Sequence, residues 1–192
     1  MSHSPVISSI LSPVYLAEFS RCLYGLDEEV TCHILKTGVN HTYLLTTPSE
    51  NFVLRVYCHR WRTEKEILEE VQLLEYLKQN GQPVSYPIKD RRGNFLNQLP
   101  APEGTRYVVL FSYAEGETIR IPTVNLCYHM GVAMARLHKL TENRTVARKN
   151  YTASTLVQWA LENAKSHFPG PSPEIAYFER ATSSVTSQFQ NA

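Results

Sequence analysis

Aspartate is scarce in this chain of 192 residues. It occurs twice, as Asp27 and Asp90, and the last hundred residues contain none. Sites that transfer phosphoryl groups use one aspartate to orient the acceptor hydroxyl and another to hold magnesium. The last hundred residues therefore contain no aspartate that could take either role.

Cysteine pairs and long apolar runs are also missing. The cysteines Cys22, Cys32, Cys58 and Cys127 form no CxxC pair, and Cys58-His59 has no second pair of ligands, so we expect no zinc site. The first apolar stretch is short and interrupted by serine and proline, so no signal peptide is predicted. We therefore expect reduced thiols and a cytoplasmic location. No apolar run approaches the roughly 18 residues of a membrane span, so no membrane partner is expected.

The chain also lacks a strong charge of either sign. Its formal net charge is +1 and its pI is about 7.7, so no broad positive field favours nucleic acid. Two basic clusters, 59–62 and 91–92, are typical of solvated turns and helix starts. With 43% hydrophobic and 19% charged residues, the composition is that of an ordinary globular protein.

The apolar pattern and the turn residues predict an α+β fold in two parts. Residues 1–115 form a β-rich part with a leading helix, and residues 116–192 form a helical part. Residues 1–10 are expected to be frayed. The first helix has a predicted apolar stripe of Val14, Leu16, Phe19, Leu23 and Leu26. Predicted helices are 13–26, 63–80, 124–140, 153–167 and 173–189; predicted strands are 29–36, 43–46, 52–57, 86–89, 94–96 and 106–113, with a loop at 100–105.

Arg55 is a cation in the middle of an apolar strand. The two-residue period of a strand places Arg55 on the same face as Val53 and Tyr57, opposite the remaining apolar residues of 52–57. A solvent-facing or edge-strand arginine fits the same pattern. The strand alone therefore leaves both interpretations open.

Glu70 lies within the apolar stripe of the following helix. Thr63 opens that helix with a T-x-x-E capping box, which gives Glu66 a local role that Glu70 does not have. A buried carboxylate without a partner is costly, and Arg55 comes from the strand just before the helix. We therefore predict an Arg55–Glu70 pair, the arrangement by which kinases direct a cation to the α- and β-phosphates. A purely structural ion pair is the alternative.

A glycine turn, Gly38-Val39-Asn40-His41, precedes the hairpin at the position of a phosphate-covering loop. Glycine lets backbone N–H groups approach an anion closely, although one glycine between two strands is also typical of an ordinary turn. Neither a GxGxxG nor a GxxxxGK[ST] motif is present. His138 could be catalytic, but its position favours a core or helix-end histidine.

These segments together resemble a known family. The runs GVNHTYLL, NFVLRVY, EEVQLLEYLKQNGQPVSYPI, GTRYVVLFSYAEGE and GVAMARLHKL are similar, in order and spacing, to the aminoglycoside phosphotransferase family. This family includes homoserine kinase-like and choline kinase-like enzymes and shares the protein-kinase fold. The resemblance covers about residues 12–165 and implies an antiparallel nucleotide-binding lobe over 1–115, followed by the beginning of a helical lobe over 116–192.

The resemblance also implies a set of nucleotide-binding positions. Gly38 and Asn40 match the nucleotide loop, and Arg55 stands where the family has lysine or arginine. The segment 111–114 matches the hinge between lobes, where backbone groups of Ser112 and Ala114 would meet adenine. The implied positions are Gly38, Asn40, Val53, Arg55, Glu70, Phe111, Ser112 and Ala114.

The family's H-G-D-x-x-x-x-N catalytic loop and its later metal-binding aspartate have no counterpart in these residues. The resemblance implies ATP with Mg²⁺ as cofactor and a small-molecule hydroxyl acceptor, with the magnesium ligands and every catalytic residue absent here. We therefore expect the amino-terminal portion of a small-molecule kinase, truncated and inactive by itself. Its unfinished helical lobe would expose apolar surface and invite self-association. The alternative is a non-catalytic nucleotide-binding or interaction module.

Overall fold

A computed structural model describes residues 6, 8–27, 29–117, 119–145, 151–168 and 170–190. It confirms the α+β class, because an antiparallel sheet in the first part is followed by helices. The helices are α1 (Pro13–Tyr24), α2 (Glu64–Gln79), α3 (Val124–Thr141), α4 (Ala153–His167) and α5 (Pro173–Gln190). The strands are β1 (Thr31–Lys36), β2 (Asn40–Thr46), β3 (Asn51–Tyr57), β4 (Pro87–Ile88), β5 (Asn97–Ala101) and β6 (Gly104–Ser112).

The sheet is built around β3 and β6, its two central strands. Its order is β1-β2-β3-β6-β4, with β5 paired to the other end of β6, and every described pairing is antiparallel. Arg55 lies opposite Thr42 on β2 and opposite Val109 on β6. The arginine therefore sits at the centre of the sheet, so the edge-strand interpretation is wrong.

One face of the sheet packs against α1. Leu16 of α1 is fully buried, and it shares a core cluster with the alternate residues Phe52, Leu54 and Val56 of β3. Val14 was predicted in the same apolar stripe, but it is 81% exposed. Two positions along an α-helix correspond to about 200° of rotation, so Val14 lies on the far side of the helix from Leu16.

The opposite face packs against α2. The predicted capping box is confirmed, since Thr63 Oγ1 accepts from the Glu66 backbone N–H while the Glu66 carboxylate accepts from that of Thr63. Ile67 and Val71 then meet the sheet in a second buried cluster. Gly81, at φ 70°, takes the left-handed conformation predicted for the residue after the helix.

Two local predictions in this part are wrong. The strand predicted at 94–96 lies instead at β5, Asn97–Ala101, and the loop predicted at 100–105 is a tight hairpin. Glycine and proline suggested a loop, but Pro100 sits at a strand edge, where its missing N–H is tolerated. Ser9, within the predicted frayed segment, is held by Glu103 through its backbone N–H and its hydroxyl.

The chain divides into two compact units, Met1–Val146 and Ala147–Ala192. The first unit contains the sheet and α1 to α3, and the second contains α4 packed on α5. The predicted boundary between two lobes, at residues 115 and 116, stays a prediction. The structure places α3, which follows that boundary in the chain, in the same compact unit as the sheet. Among the described residues, no helix is both long enough and apolar enough to cross a membrane.

Candidate nucleotide-binding site

The predicted pair between strand and helix is present. Arg55 Nη1 donates to Glu70 Oε1 at 2.7 Å, joining the middle of β3 to the second turn of α2. The capping box at Thr63 fixes where α2 begins, and this start places Glu70 over β3. Both side chains are partly accessible, at 32% and 24% exposure, so the pair lies at a surface that a ligand can reach.

Two aromatic rings flank the same guanidinium. Arg55 Cζ lies 4.9 Å from the ring centroid of Phe111 and 6.0 Å from that of Tyr57. Tyr57 was predicted to lie on the sheet face that carries the Arg55 side chain (the Arg55 face), but it was not predicted as a site residue. Strand alternation was the signal that could have included it, since residues two apart on a strand share a face.

The turn residues lie at one end of the Arg55 face. Asn40 pairs with Tyr57 across β2 and β3, which puts its side chain on the same face as Arg55. Its Oδ1 is buried and has no hydrogen-bond partner within the described ranges. A Cβ added to Gly38 would meet nothing within 4 Å, so there is open space beside this turn.

The predicted hinge lies at the other end of that face. Phe111 pairs with Val53, so both side chains lie on the Arg55 face. The Ser112 backbone is already engaged, because its N–H donates to Tyr86 O at 2.9 Å and its C=O accepts from Ser85 Oγ at 2.6 Å.

The hinge continues past the end of β6. Ala114 is exposed and follows that strand without regular structure. With the Ser112 N–H committed to Tyr86 and its C=O to Ser85, the backbone of Ala114 is the more accessible of the two predicted adenine contacts. A cavity of about 300 Å³ borders this hinge, with Asn51, Phe52, Tyr86, Ser112 and Tyr113 in its lining.

The structure thus brings the side chains of Asn40, Val53, Arg55 and Phe111 onto one face of the sheet, whereas Ser112 pairs with Phe52 and lies on the opposite face. Gly38 and Asn40 lie at one end, Arg55 with Glu70 at the centre, and Val53 with the 111–114 segment at the other end. The cavity at the hinge does not reach Arg55. An elongated ligand would therefore lie along the sheet rather than in one enclosed pocket.

Neither aspartate belongs to this site. Asp27 is exposed beyond α1, and Asp90 accepts backbone hydrogen bonds from Arg92 and Asn94 within its own turn. Burial by itself would raise the Asp90 pKa, but the N–H donors of Asn94 and Arg92 hold it below its ordinary value. No group of three or more metal-ligating side chains occurs in the part of the chain that the structure describes.

Known proteins with sequences similar to this chain include a kinase. The chain is 32% identical over 139 residues to an uncharacterised protein of Synechocystis sp. strain PCC 6803, covering 72% of this chain and 38% of that protein. It is 29% identical over 144 residues to the homoserine kinase of Bartonella tribocorum, covering 72% of this chain and 41% of that enzyme. The chain thus spans about two fifths of the length of these curated relatives.

Solved structures confirm the kinase-like fold. The structure of amicoumacin kinase in complex with AMP-PNP and Ca²⁺ matches with a TM-score of 0.61 at 20% identity, covering 84% of this chain and 55% of that one. The model of the phosphotransferase enzyme family matches residues 32–182, which is more than half of the chain. That match contains all of β1 but its first residue, β2 to β6, α2 and the Arg55–Glu70 pair. The chain belongs to the phosphotransferase enzyme family.

Proposed function

We propose that these residues form the nucleotide-binding part of an ATP-dependent kinase that phosphorylates a hydroxyl group of a small molecule. The observation that carries the proposal is the contact of 2.7 Å between Arg55 on β3 and Glu70 on α2. Kinases hold the α- and β-phosphates with a strand cation that a helix carboxylate keeps in place. The pair also stays partly accessible, at 32% and 24% exposure, as contact with a ligand requires.

Each end of the Arg55 face has a role in this proposal. Arg55 meets the phosphates, while the backbone of Gly38 and the side chain of Asn40 cover them from the turn before β2. The Asn40 side chain would serve this role through Nδ2, because an amide nitrogen can donate to a phosphate oxygen. Val53 and the 112–114 segment would contact the base, with the Ala114 backbone as its hydrogen-bonding group, whereas the Phe111 ring is buried beside Arg55.

The proposed cofactor is ATP with Mg²⁺. Magnesium prefers several oxygen ligands and keeps water in its coordination shell, so it would bind these residues chiefly through the nucleotide phosphates. The described residues contain no cluster of carboxylates that could fix it. The chain's own contribution is therefore to bind and orient the nucleotide, without a metal ligand or a general base.

The acceptor belongs to the class of small alcohols. Homoserine kinases are among the relatives, and amicoumacin kinase shares the fold. Aminoglycosides, homoserine and choline therefore remain the acceptors to test. A cytoplasmic location is part of the proposal and is supported by the free thiols of all four cysteines.

A second candidate function is nucleotide binding without phosphoryl transfer, as a module that acts through a partner. The observation that favours it is the apolar surface that α3 exposes among the described residues, which a partner could cover. Self-association is the partner interaction we propose for these residues. It is supported by exposed apolar residues on α3, namely Val124, Tyr128, Met130 and Met134. Sedimentation at increasing concentration tests it, and a constant monomer would contradict it.

Titration with ATP and Mg²⁺ tests the nucleotide site directly. Isothermal titration of the unmodified chain is expected to show weak binding, and Arg55→Ala is expected to weaken it at least tenfold. Arg21→Ala is the matched control, since Arg21 also pairs with a glutamate, at 2.6 Å, but lies on α1 across the sheet. Equal affinities of Arg55→Ala and the unmodified chain would overturn the proposed site.

A further inference from the structure

Three side chains contact the Arg55 guanidinium or lie beside it. Glu70 Oε1 accepts from Nη1, the Phe111 ring centroid is 4.9 Å from Cζ, and the Tyr57 centroid is 6.0 Å away. A cation within about 6 Å of a ring centroid is attracted by the negative face of the ring. The guanidinium is thus held by a carboxylate at one end and by two aromatic rings.

The sheet register places these rings. Val109 lies opposite Arg55 and Phe111 opposite Val53, so Phe111 is the diagonal neighbour of Arg55 on the same face. Tyr57 is two residues further along β3 and shares that face. Both rings are almost fully buried, at 2% and 1% exposure, in the cluster that α2 closes. Rings fixed in a packed core form rigid neighbours for a side chain that would otherwise sample many rotamers.

We infer that Phe111 and Tyr57 are positioning residues that fix the plane of the Arg55 guanidinium and make arginine, rather than lysine, the residue required here. The inference rests on the proposed nucleotide site and adds how its cation is oriented. Arginine presents five N–H donors in a planar fork, so fixing the plane fixes where the donors point. Lysine keeps the charge but has no plane for the rings to orient.

NMR of the nucleotide-free chain tests whether the two rings position the Arg55 guanidinium, independently of nucleotide binding. With arginine labelled by ¹⁵N and ¹³C, the Arg55 side-chain signals are assigned by their loss in Arg55→Lys. Stacking on an aromatic face predicts Hδ and Hε shifts upfield of those of the exposed Arg120. Phe111→Leu should move the Arg55 signals toward those exposed values.

Phe95→Leu is the matched control, since Phe95 packs against the same cluster while its ring faces the Lys89 ammonium at 5.0 Å. It should leave the Arg55 signals in place. Arg55 shifts in the unmodified chain that equal those of an exposed arginine would overturn the inference, even if Phe111→Leu does not fold. Shifts that move equally in both phenylalanine variants would overturn it as well.

A double-mutant cycle on ATP and Mg²⁺ binding gives the second readout. Phe111→Leu is expected to weaken ATP binding about two- to fivefold, the range of a partly exposed cation–π contact. In an Arg55→Gln background the same change should have less than half that effect, because no cation remains to be positioned. Equal losses in both backgrounds would mean that Phe111 acts on the nucleotide or on packing directly, which would overturn the inference.

The cycle also separates the two proposals. If Arg55→Gln leaves ATP affinity unchanged, the proposed nucleotide site is wrong, and the NMR shifts then decide the positioning by themselves. If Arg55→Gln weakens binding while Phe111→Leu does not, the site stands and the positioning inference fails. Arg55→Lys should bind ATP more weakly than the unmodified chain, and equal affinity would contradict the requirement for arginine.

Discussion

Arg55 and Glu70 lie 15 residues apart in the chain and 2.7 Å apart in the structure, on a strand and the helix that follows it. The intervening 58–63 segment reverses the chain so that α2 runs back across the face of β3. The ion pair therefore couples the position of α2 to the cation at the centre of the sheet. Any shift of the helix would change where the guanidinium points.

Glu70→Gln is expected to weaken ATP binding several-fold while leaving the fold intact. The amide can still accept one hydrogen bond from Arg55, but it no longer holds the guanidinium by charge. Titration calorimetry measures the change. Glu75→Gln on the same helix serves as its control, since the Glu75 carboxylate accepts a hydrogen bond from Gln79 Nε2 at 3.2 Å. A larger loss in Glu75→Gln than in Glu70→Gln would contradict the assignment.

The 192-residue chain is expected to transfer no phosphoryl group to a hydroxyl acceptor, whatever ATP it binds. No aspartate after Asp90 is available to orient the attacking oxygen or to fix magnesium against the γ-phosphate. A coupled assay with ATP, Mg²⁺ and aminoglycosides, homoserine or choline checks this. Turnover above background that Arg55→Ala abolishes would show that these residues suffice for catalysis.

The stability of the fold is expected to fall as the pH drops below about 6.5. His41 is 5% exposed, and burial, followed by the nearby Arg106 charge, lowers its pKa below the ordinary 6.5, although Glu103 acts in the opposite direction. The unfolded chain then binds a proton at a pH where the folded chain does not, so the free energy of unfolding decreases with falling pH. The decrease ends below the pKa of His41 in the folded state.

Urea unfolding at several pH values between 5 and 8 measures this slope. We expect His41→Gln to flatten it, whereas the matched variant His33→Gln, at an exposed position on β1, should keep it. An unchanged slope in His41→Gln would assign the pH dependence to other groups.

Asp90→Ala is expected to lower the free energy of unfolding by about 1–3 kcal/mol, because it removes the charged acceptor of two backbone N–H groups. Asp90 is 6% exposed, and its Oδ1 accepts from the backbone N–H groups of Arg92 and Asn94 at 2.8 Å. The exposed Asp27 gives the control, since Asp27→Ala should change stability by no more than about 0.5 kcal/mol. Similar losses in the two variants, by urea unfolding, would contradict the role of the Asp90 turn.

Tyr76→Leu is expected to loosen the end of α3. The Tyr76 hydroxyl donates to Leu140 O at 3.4 Å, and Arg144 Cζ lies 3.5 Å from its ring centroid. Without the ring, both contacts are lost, so amide hydrogen exchange in 137–144 should accelerate. Tyr86→Leu removes another ring that faces a cation, Lys78, and should leave exchange in 137–144 unchanged. Faster exchange there in Tyr86→Leu would indicate general destabilisation.

Local patterns in the sequence were sufficient to predict most elements. The T-x-x-E motif at Thr63 located the start of α2, and helical spacing then placed Glu70 among the residues facing the sheet. Strand alternation separated the two faces of β3. These predictions succeed because capping and periodicity depend on residues a few positions apart, which the sequence displays directly. The strand at 94–96 was misplaced because its partner, β6, determines where β5 begins.

Contacts between distant residues were decided only by the tertiary structure. Arg106 is fully buried, and it donates to the carbonyl oxygens of Tyr57 and Ser9, which lie 49 and 97 positions away. Nothing in the local pattern around Arg106 predicts such partners. The contact between Phe111 and Arg55 could not be predicted from a local pattern either, because it depends on the register of β3 and β6. The sequence by itself determined which residues share a strand face or a helix face. The tertiary structure decided which faces meet, because that depends on pairing and packing across the whole chain.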